Sequence, residues 1–272
     1  MAFGLTDLVA ALALEPTEGG VTGPNLDLGY YRIFGGQILA QALVAAADAS
    51  PEKTVKSLHV LFPREGNAEQ PLHYRVDKLS DGRTFGATQV TATQEGKVIA
   101  AATVSLHADE DGLRRSDDPP AVGAPEEAPV LDVPMVPWEV RSVGGVDVAD
   151  RTVGPPDLQL WMRTPPLAVD RLAVHQALLS HATDLTLIGT ALRPFEGISQ
   201  ADSTVTLQTA VTSHSMWFHQ PFRMDDWVLL SQHSPVVAKG RSWGRGEVFG
   251  AAGDVVASFA QEAMVRQIEP AA

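Results

Sequence analysis

Asp81-Gly-Arg-Thr-Phe-Gly86 reappears further along the chain as Lys239-Gly-Arg-Ser-Trp-Gly244, and the two stretches begin 158 positions apart, at 81 and at 239. Three identities elsewhere keep the same spacing: Val90 with Val248, Ser57 with Ser215, and Pro63 with Pro221. A chance match between two hexapeptides would not extend to distant positions without an insertion or a deletion. The sequence therefore predicts one structural unit that is written twice.

Each copy combines one apolar helix with several strands. From Gly35 the chain runs to Asp48 without a charged residue, and a helix that is apolar on every side is a buried helix. Alternating and β-branched stretches predict strands at 55–62, 72–79, 84–93 and 98–107. The second copy repeats the order, with strands at 138–143 and 158–164, a helix over 172–192 and a last strand at 255–265. These elements predict an α+β fold with two helix-and-sheet units.

The stretch between the copies, residues 108–134, is rich in aspartate, glutamate and proline. Proline cannot donate a hydrogen bond to a sheet, so we expect this stretch to be a linker outside the packed sheet. The predicted organisation is an N-terminal unit at 1–112, an acidic linker at 113–135 and a C-terminal unit at 136–272.

Composition excludes several classes of protein. The 272 residues include no cysteine, which excludes disulfides and a cysteine nucleophile and fits a reducing, cytoplasmic location. The formal net charge of −13 repels a nucleic-acid backbone, and no long Lys/Arg run offsets it, so no nucleic-acid partner is expected. No stretch reaches the roughly 18 consecutive apolar residues of a bilayer span, so no membrane span is predicted.

Gly240-Arg-Ser-Trp-Gly244 matches the Gly-x-Ser-x-Gly nucleophile elbow of α/β-hydrolases. That elbow needs a strand, a sharp turn and a helix, with a histidine downstream, and no histidine follows Ser242. The first copy has Thr84 at the equivalent position. The motif is therefore interpreted as repeated strand sequence and not as a serine nucleophile.

The histidines of the second copy do not indicate a metal site. His214 and His219 are five residues apart, which places them on opposite faces of a strand. His181 and Asp184 stand three apart on the predicted helix, where a surface or capping pair is the plainer interpretation. No metal and no cofactor are predicted.

Asp184 and Gln261 are two polar residues in apolar sequence surroundings, and each is expected to need a hydrogen-bond partner. Asp184 interrupts the apolar second helix, and burial of a carboxylate is costly unless something hydrogen-bonds to it. Gln261 shares the period-2 apolar face of the last strand with Phe259 and Ala263. A capping or core aspartate and a structural amide are equally compatible with these positions, so both interpretations stay open at this point.

Four separated motifs resemble the bacterial acyl-CoA thioesterase II family over residues 34–266. They are Phe34-Gly-Gly-Gln-Ile-Leu-Ala-Gln-Ala-Leu43, Asp81-Gly-Arg-Thr-Phe85, His214-Ser-Met-Trp-Phe-His219 and Gln261-Glu262. The resemblance implies a double-hotdog fold, in which each half wraps a curved antiparallel sheet around one central helix. It also implies hydrolysis of acyl-CoA to a free acid and coenzyme A by direct attack of water, without a covalent intermediate.

The resemblance assigns the general base to Asp184 and the orientation of the water to Gln261. The family has a hydroxyl three residues before the first histidine of its motif, where this chain has Val211. Thr212 is the nearest hydroxyl, but strand alternation turns it to the opposite face unless a bulge intervenes. Under the same alternation Ser213 shares the face of Val211 and is the better substitute. The candidate catalytic residues are therefore Asp184, Gln261, Ser213 and Thr212.

Two other functions compete with the thioesterase. A catalytically weak protein that binds acyl-CoA is compatible with the valine at position 211. A hotdog enoyl-CoA hydratase is disfavoured, because the chain has no Asn-Pro-x-His type of segment. Acyl-CoA is the expected substrate, and open sheet edges suggest a homo-oligomer.

Overall fold

The computed structural model describes residues 3–268, and its strands form one continuous antiparallel sheet. The strands are β1 (Glu15–Thr17), β2 (Gly20–Gly23), β3 (Thr54–Leu61), β4 (Leu72–Asp81), β5 (Phe85–Gln94), β6 (Lys97–His107), β7 (Glu139–Ser142), β8 (Asp157–Arg163), β9 (Leu207–Phe218), β10 (Val228–Ala238), β11 (Arg241–Phe249) and β12 (Val255–Gln267). The α-helices are α1 (Leu5–Ala11), α2 (Gly35–Ala49), α3 (Leu172–Thr183) and α4 (Leu187–Leu192). The predicted α+β class is confirmed.

Strand order in the sheet is symmetric about its centre. The order is β1-β2-β4-β5-β6-β3-β9-β12-β11-β10-β8-β7, so the same succession of equivalent strands runs outward from the contact of β3 with β9. At that contact Leu58 pairs with Met216. These two residues are 158 positions apart, which is the spacing of the sequence repeat. Equivalent positions of the two halves therefore meet at the centre of the sheet.

Helices α2 and α3 pack against each other, and α2 also contacts strands β3 to β6. The two glutamines of α2 are buried and fully engaged. Gln37 Oε1 accepts from the Leu26 amide at 2.9 Å, and Gln41 Nε2 donates to the Ala11 carbonyl at 2.8 Å. The Tyr74 hydroxyl donates to Gln41 Oε1 at 2.7 Å. These bonds satisfy the side-chain amides of Gln37 and Gln41 structurally, so neither amide is left for chemistry.

The prediction of one continuous helix over 172–192 is wrong, because α3 ends at Thr183 and α4 begins at Leu187. Short polar side chains compete with the backbone for hydrogen bonds at this break. The Thr183 hydroxyl donates to the Ser180 carbonyl at 3.1 Å, and the Thr190 hydroxyl donates to the Thr186 carbonyl at 2.9 Å. Among the described residues, no helix combines the length and the apolar character needed to cross a bilayer.

The prediction that the acidic linker stays outside the sheet is also wrong at one point. Val130 forms an antiparallel bridge with Arg141 of the edge strand β7. The Leu131 amide donates to the Val140 carbonyl at 2.9 Å, and the Ser142 amide donates to the Pro129 carbonyl at the same distance. Proline has no N–H but keeps its carbonyl, so Pro129 can still accept a bond from a strand.

The Gly-x-Ser-x-Gly motif forms the hairpin between β10 and β11. Lys239 and Gly240 adopt left-handed conformations, with φ of 54° and 73°, and make the tight turn. Ser242 then lies within β11, opposite Ala263 of β12. The segment that follows Ser242 is strand and not helix, so the interpretation as repeated strand sequence is confirmed.

Candidate active site

Asp184 follows the last residue of α3, and its side chain meets the first turn of α2. The residue is 4% exposed. A Cβ atom at Gly35 would lie 2.6 Å from the Asp184 Oδ2 atom, and one at Gly36 would lie 2.5 Å from the carbonyl oxygen of His181. These distances are too short for any side chain. The two adjacent glycines therefore let the start of α2 approach the end of α3.

The surroundings of Asp184 favour its neutral form at a pH where most aspartates are charged. Burial raises the pKa of Asp184 from 3.8 to about 7, while hydrogen bonds from the Gly36 amide and from Gln261 act in the opposite direction. The positive end of the α2 dipole also favours a carboxylate at this position. A carboxyl group with a pKa near neutrality can accept a proton and return it at physiological pH.

Gln261 lies on the inner face of β12, in contact with Asp184. Its Nε2 atom donates to the Asp184 carbonyl oxygen at 3.1 Å and lies 3.3 Å from the Oδ1 atom of the same residue. Its Oε1 atom is buried and has no hydrogen-bond partner within the described part of the chain. The two residues that the sequence singled out therefore lie together, and one amide oxygen faces the site without a partner.

Sequence reasoning missed His214 as a third member of this cluster. His214 pairs directly with Gln261 in the β9–β12 ladder, and its ring is fully buried. Its Nδ1 atom lies 3.7 Å from Asp184 Oδ1, and its Nε2 atom lies 3.1 Å from the Thr183 hydroxyl. Burial lowers the pKa of His214 to about 3, so the ring is neutral. The motif that contains His214 was visible, but the register that brings it to Asp184 was not.

His181 makes separate contacts beside this cluster. Its Nε2 atom is hydrogen-bonded with the Met135 carbonyl at 2.7 Å, and its ring meets the Phe34 ring edge-on at 4.9 Å between centroids. His181 is fully buried and is bonded to Met135 and not to Asp184, so a helix-surface pair is wrong, while Asp184 does stand at the C-cap position of α3. Burial also lowers the pKa of His181 to about 4. Along residues 3–268, no three or more His, Cys, Asp or Glu side chains are grouped to hold a metal ion.

Comparison with known proteins matches the chain to an established family. A family model described as acyl-CoA thioesterase matches residues 148–264, and one described as the acyl-CoA thioesterase N-terminal domain matches residues 24–107. Acyl-CoA thioesterase 2 of Haemophilus influenzae is 32% identical to the chain, with 96% of this chain and 98% of that protein covered. The chain belongs to the acyl-CoA thioesterase II family. The family prediction made from the motifs is confirmed.

Solved structures agree with this membership. The acyl-CoA thioesterase II TesB2 from Mycobacterium marinum superposes with a TM-score of 0.82 at 30% identity, covering 96% of this chain and 99% of that one. A conserved protein of unknown function with a hot dog fold, from Alicyclobacillus acidocaldarius, has a TM-score of 0.76 at 20% identity, with 97% and 99% covered. The second likeness concerns the fold alone, and it supports the hotdog architecture.

A β-bulge decides which side chains of β9 lie on the same face of the sheet as His214 and Gln261. Val211 pairs with Ala263 and Ser213 pairs with Glu262, which leaves Thr212 as an extra residue in β9. Without a bulge, residues three apart would lie on opposite faces. With it, Val211 and His214 share the inner face of the sheet.

The prediction that Ser213 supplies the missing hydroxyl is therefore wrong. Ser213 lies opposite Glu262 on one side and opposite Leu61 on the other, and Leu61 is 63% exposed, so this is the outer face. The Thr212 hydroxyl donates to the Glu262 carbonyl at 3.0 Å and is engaged within the bulge. The structure thus groups Asp184 and Gln261 with His214, and the family's hydroxyl position carries only the methyl groups of Val211.

Proposed function

We propose that the chain hydrolyses acyl-CoA thioesters to a free acid and coenzyme A by direct attack of a water molecule that Asp184 activates. The observation that carries this proposal is the contact between a buried carboxyl of raised pKa and the amide of Gln261, at the first turn of a helix. Membership of the acyl-CoA thioesterase II family supports the substrate class.

The reaction needs one base and one stable site for negative charge. The oxygen of water bonds to the thioester carbonyl carbon while a water proton passes to Asp184. Gln261 Oε1 lacks a hydrogen-bond partner, so it would accept a hydrogen bond from the second O–H group of that water and so orient the water. The carbon–sulfur bond then breaks, the sulfur leaves with the electron pair, and the proton on Asp184 returns to the thiolate. Because a thiolate leaves readily, no covalent intermediate is required.

The start of α2 would stabilise the charge that forms on the carbonyl oxygen. The first amides of a helix have no partner within it, and the helix dipole adds a partial positive charge there. At Gly35 and Gly36 the space that a side chain would fill is taken by Asp184 and by the His181 carbonyl, so the helix dipole, and not an open pair of amides, would act on the oxyanion. Fixed dipoles of this kind stabilise an oxyanion more effectively than water does.

We infer that the two symmetric halves of the sheet are duplicated hotdog units, within the predicted bounds of 1–112 and 136–272. Of the two halves, the second carries the proposed base, Asp184. The buried polar residues of α2 in the first half are Gln37 and Gln41, and both are engaged in structural hydrogen bonds. Assembly into a homo-oligomer and a cytoplasmic location stay predictions from the sequence.

Turnover of a panel of acyl-CoA esters, followed by release of the free thiol, tests the function. Wild-type protein should hydrolyse at least one of them, and Asp184→Asn should reduce kcat by roughly 10²–10⁴-fold. Ser242→Ala is the matched control and should keep the wild-type rate, since Ser242 lies within a strand. Binding of acyl-CoA without turnover would favour the weak binding protein, and addition of water to an enoyl-CoA would favour the hydratase.

A further inference from the structure

The contacts of the Thr183 hydroxyl favour one tautomer of His214. The Thr183 hydroxyl lies 3.1 Å from the Ser180 carbonyl oxygen, 3.6 Å from the Met216 sulfur and 3.1 Å from His214 Nε2. A hydroxyl has one proton, and the carbonyl and the thioether can only accept. If Thr183 donates to the Ser180 carbonyl, it is left to accept a hydrogen bond from a protonated His214 Nε2. A neutral imidazole then carries a lone pair on Nδ1.

That lone pair faces the base. His214 Nδ1 lies 3.7 Å from Asp184 Oδ1, slightly beyond hydrogen-bond distance, and has no hydrogen-bond partner within residues 3–268. The other titratable side chain close to the end of α3 is His181, which is neutral and bound to the Met135 carbonyl. From β12 the site is faced by the uncharged Gln261, and from α2 by two glycines. No charged group of these elements competes for the proton of Asp184.

We propose that His214 is a positioning residue for the proton, since its Nδ1 atom accepts a hydrogen bond from protonated Asp184 and holds the water-derived proton until the thiolate leaves. This inference rests on the proposed function, because it assigns a role to His214 within the same hydrolysis. The proton is transferred once, from water to Asp184, and then to the sulfur. His214 stays neutral throughout and does not form or break a covalent bond.

The arrangement makes Asp184 a stronger base. A lone pair on Nδ1 stabilises the protonated carboxyl and does nothing for the carboxylate, so it keeps the pKa of Asp184 high. The rate falls as the pH drops through the pKa of Asp184, because only the carboxylate can accept a proton from water. This fall in kcat/KM at low pH is the acid limb of the pH profile. One neutral hydrogen bond is worth about 1 kcal/mol, which corresponds to a shift of the acid limb by roughly half to one pH unit.

Three variants separate this role from simple packing. His214→Phe keeps a ring but removes the acceptor, and Thr183→Val keeps the shape but removes the group that accepts the Nε2 proton. Without that acceptor the Nδ1–H tautomer becomes favoured and donates to the Asp184 carboxylate. Both variants should therefore shift the acid limb of kcat/KM to lower pH by about half to one unit. Thr183→Ser retains the hydroxyl and should keep the wild-type profile.

The ¹⁵N resonances of the His214 ring give a second reading that does not depend on turnover. Wild type and Thr183→Ser should show a protonated Nε2 and an unprotonated Nδ1, and Thr183→Val should show the reverse. An acid limb that keeps its wild-type position in both His214→Phe and Thr183→Val, or a protonated Nδ1 in the wild type, would overturn the assignment. Failure of the proposed function is distinguishable, because wild-type protein would then show no acid limb of hydrolysis at all.

Discussion

Substitution of Asp184 by asparagine should remove activity and at the same time stabilise the protein above neutral pH. The pKa of Asp184 rises from 3.8 to about 7 on folding, chiefly because the side chain is buried. Between these values the unfolded chain has released the proton and the folded chain keeps it, so stability falls as the pH rises. At 1.36 kcal/mol per pKa unit, the full loss by pH 8 is roughly 4 kcal/mol.

Asparagine at position 184 does not ionise, so the variant does not lose this stability as the pH rises. Its oxygen can still accept the Gly36 amide, and its Nδ2 can donate to Gln261 Oε1 or His214 Nδ1, both of which lack partners among the described residues. The difference in unfolding free energy between Asp184→Asn and wild type should therefore grow by about 3 kcal/mol from pH 5 to pH 8. Titration of His181 and His214 is common to both proteins and cancels in this difference.

Urea denaturation at several pH values measures the effect, and Asp202→Asn is the matched control. Asp202 is also buried, but the Ser199 amide and Arg151 hold its pKa below the ordinary value. Its carboxylate stabilises the fold throughout the range from pH 5 to pH 8, which lies above its folded and unfolded pKa values, so Asp202→Asn should be less stable than wild type by a nearly constant amount. A difference for Asp184→Asn that stays flat with pH, or becomes less favourable towards pH 8, would refute the raised pKa and with it the argument for a general base.

Three further predictions concern the glycine contact, the bulge and the glutamines of α2. Gly36→Ala should lower the free energy of unfolding, measured in urea, by about 1–3 kcal/mol and should also lower kcat, because the new Cβ meets the His181 carbonyl oxygen. Unchanged stability and unchanged kcat would contradict that contact. Ser213→Ala should leave kcat unchanged while Val211→Thr raises it several-fold, and a large loss in Ser213→Ala would contradict the face assignment made from the bulge. Gln41→Leu should lower the free energy of unfolding by roughly 2–4 kcal/mol, because buried partners lose their hydrogen bonds, and should leave the pH profile of any remaining activity in place; a shifted profile would show that the Gln41 side chain contributes to the site.

Much of the fold could be predicted because it depends on local pattern. The uncharged stretch from Gly35 predicted the start of α2, and the repeated hexapeptide predicted the spacing that places Leu58 against Met216. The break after Thr183 was missed, because the apolar pattern of α3 continues into α4 and hides the competition from short polar side chains. The bridge at Val130 was missed because composition describes the linker as a whole and not its last residues.

The site could be predicted only where one residue stood out against its surroundings. Asp184 and Gln261 are polar residues in apolar segments, so their burial costs energy unless they meet a partner. His214 and Ser213 could not be placed, since their faces depend on a single extra residue, Thr212, in the β9–β12 ladder. A bulge shifts every side chain beyond it to the other face, and strand alternation alone does not reveal it.

In the proposed mechanism, water attacks the thioester carbonyl carbon while Asp184 takes its proton. A single turnover in H₂¹⁸O, with enzyme in excess over acyl-CoA, tests this mechanism, because the mass of the released acid reports where its new oxygen came from. Direct attack predicts one ¹⁸O in the acid after the first turnover and none in the protein. An acid released without ¹⁸O, together with ¹⁸O in the peptide that contains Asp184, would instead show that this carboxylate attacks the substrate and would contradict the mechanism.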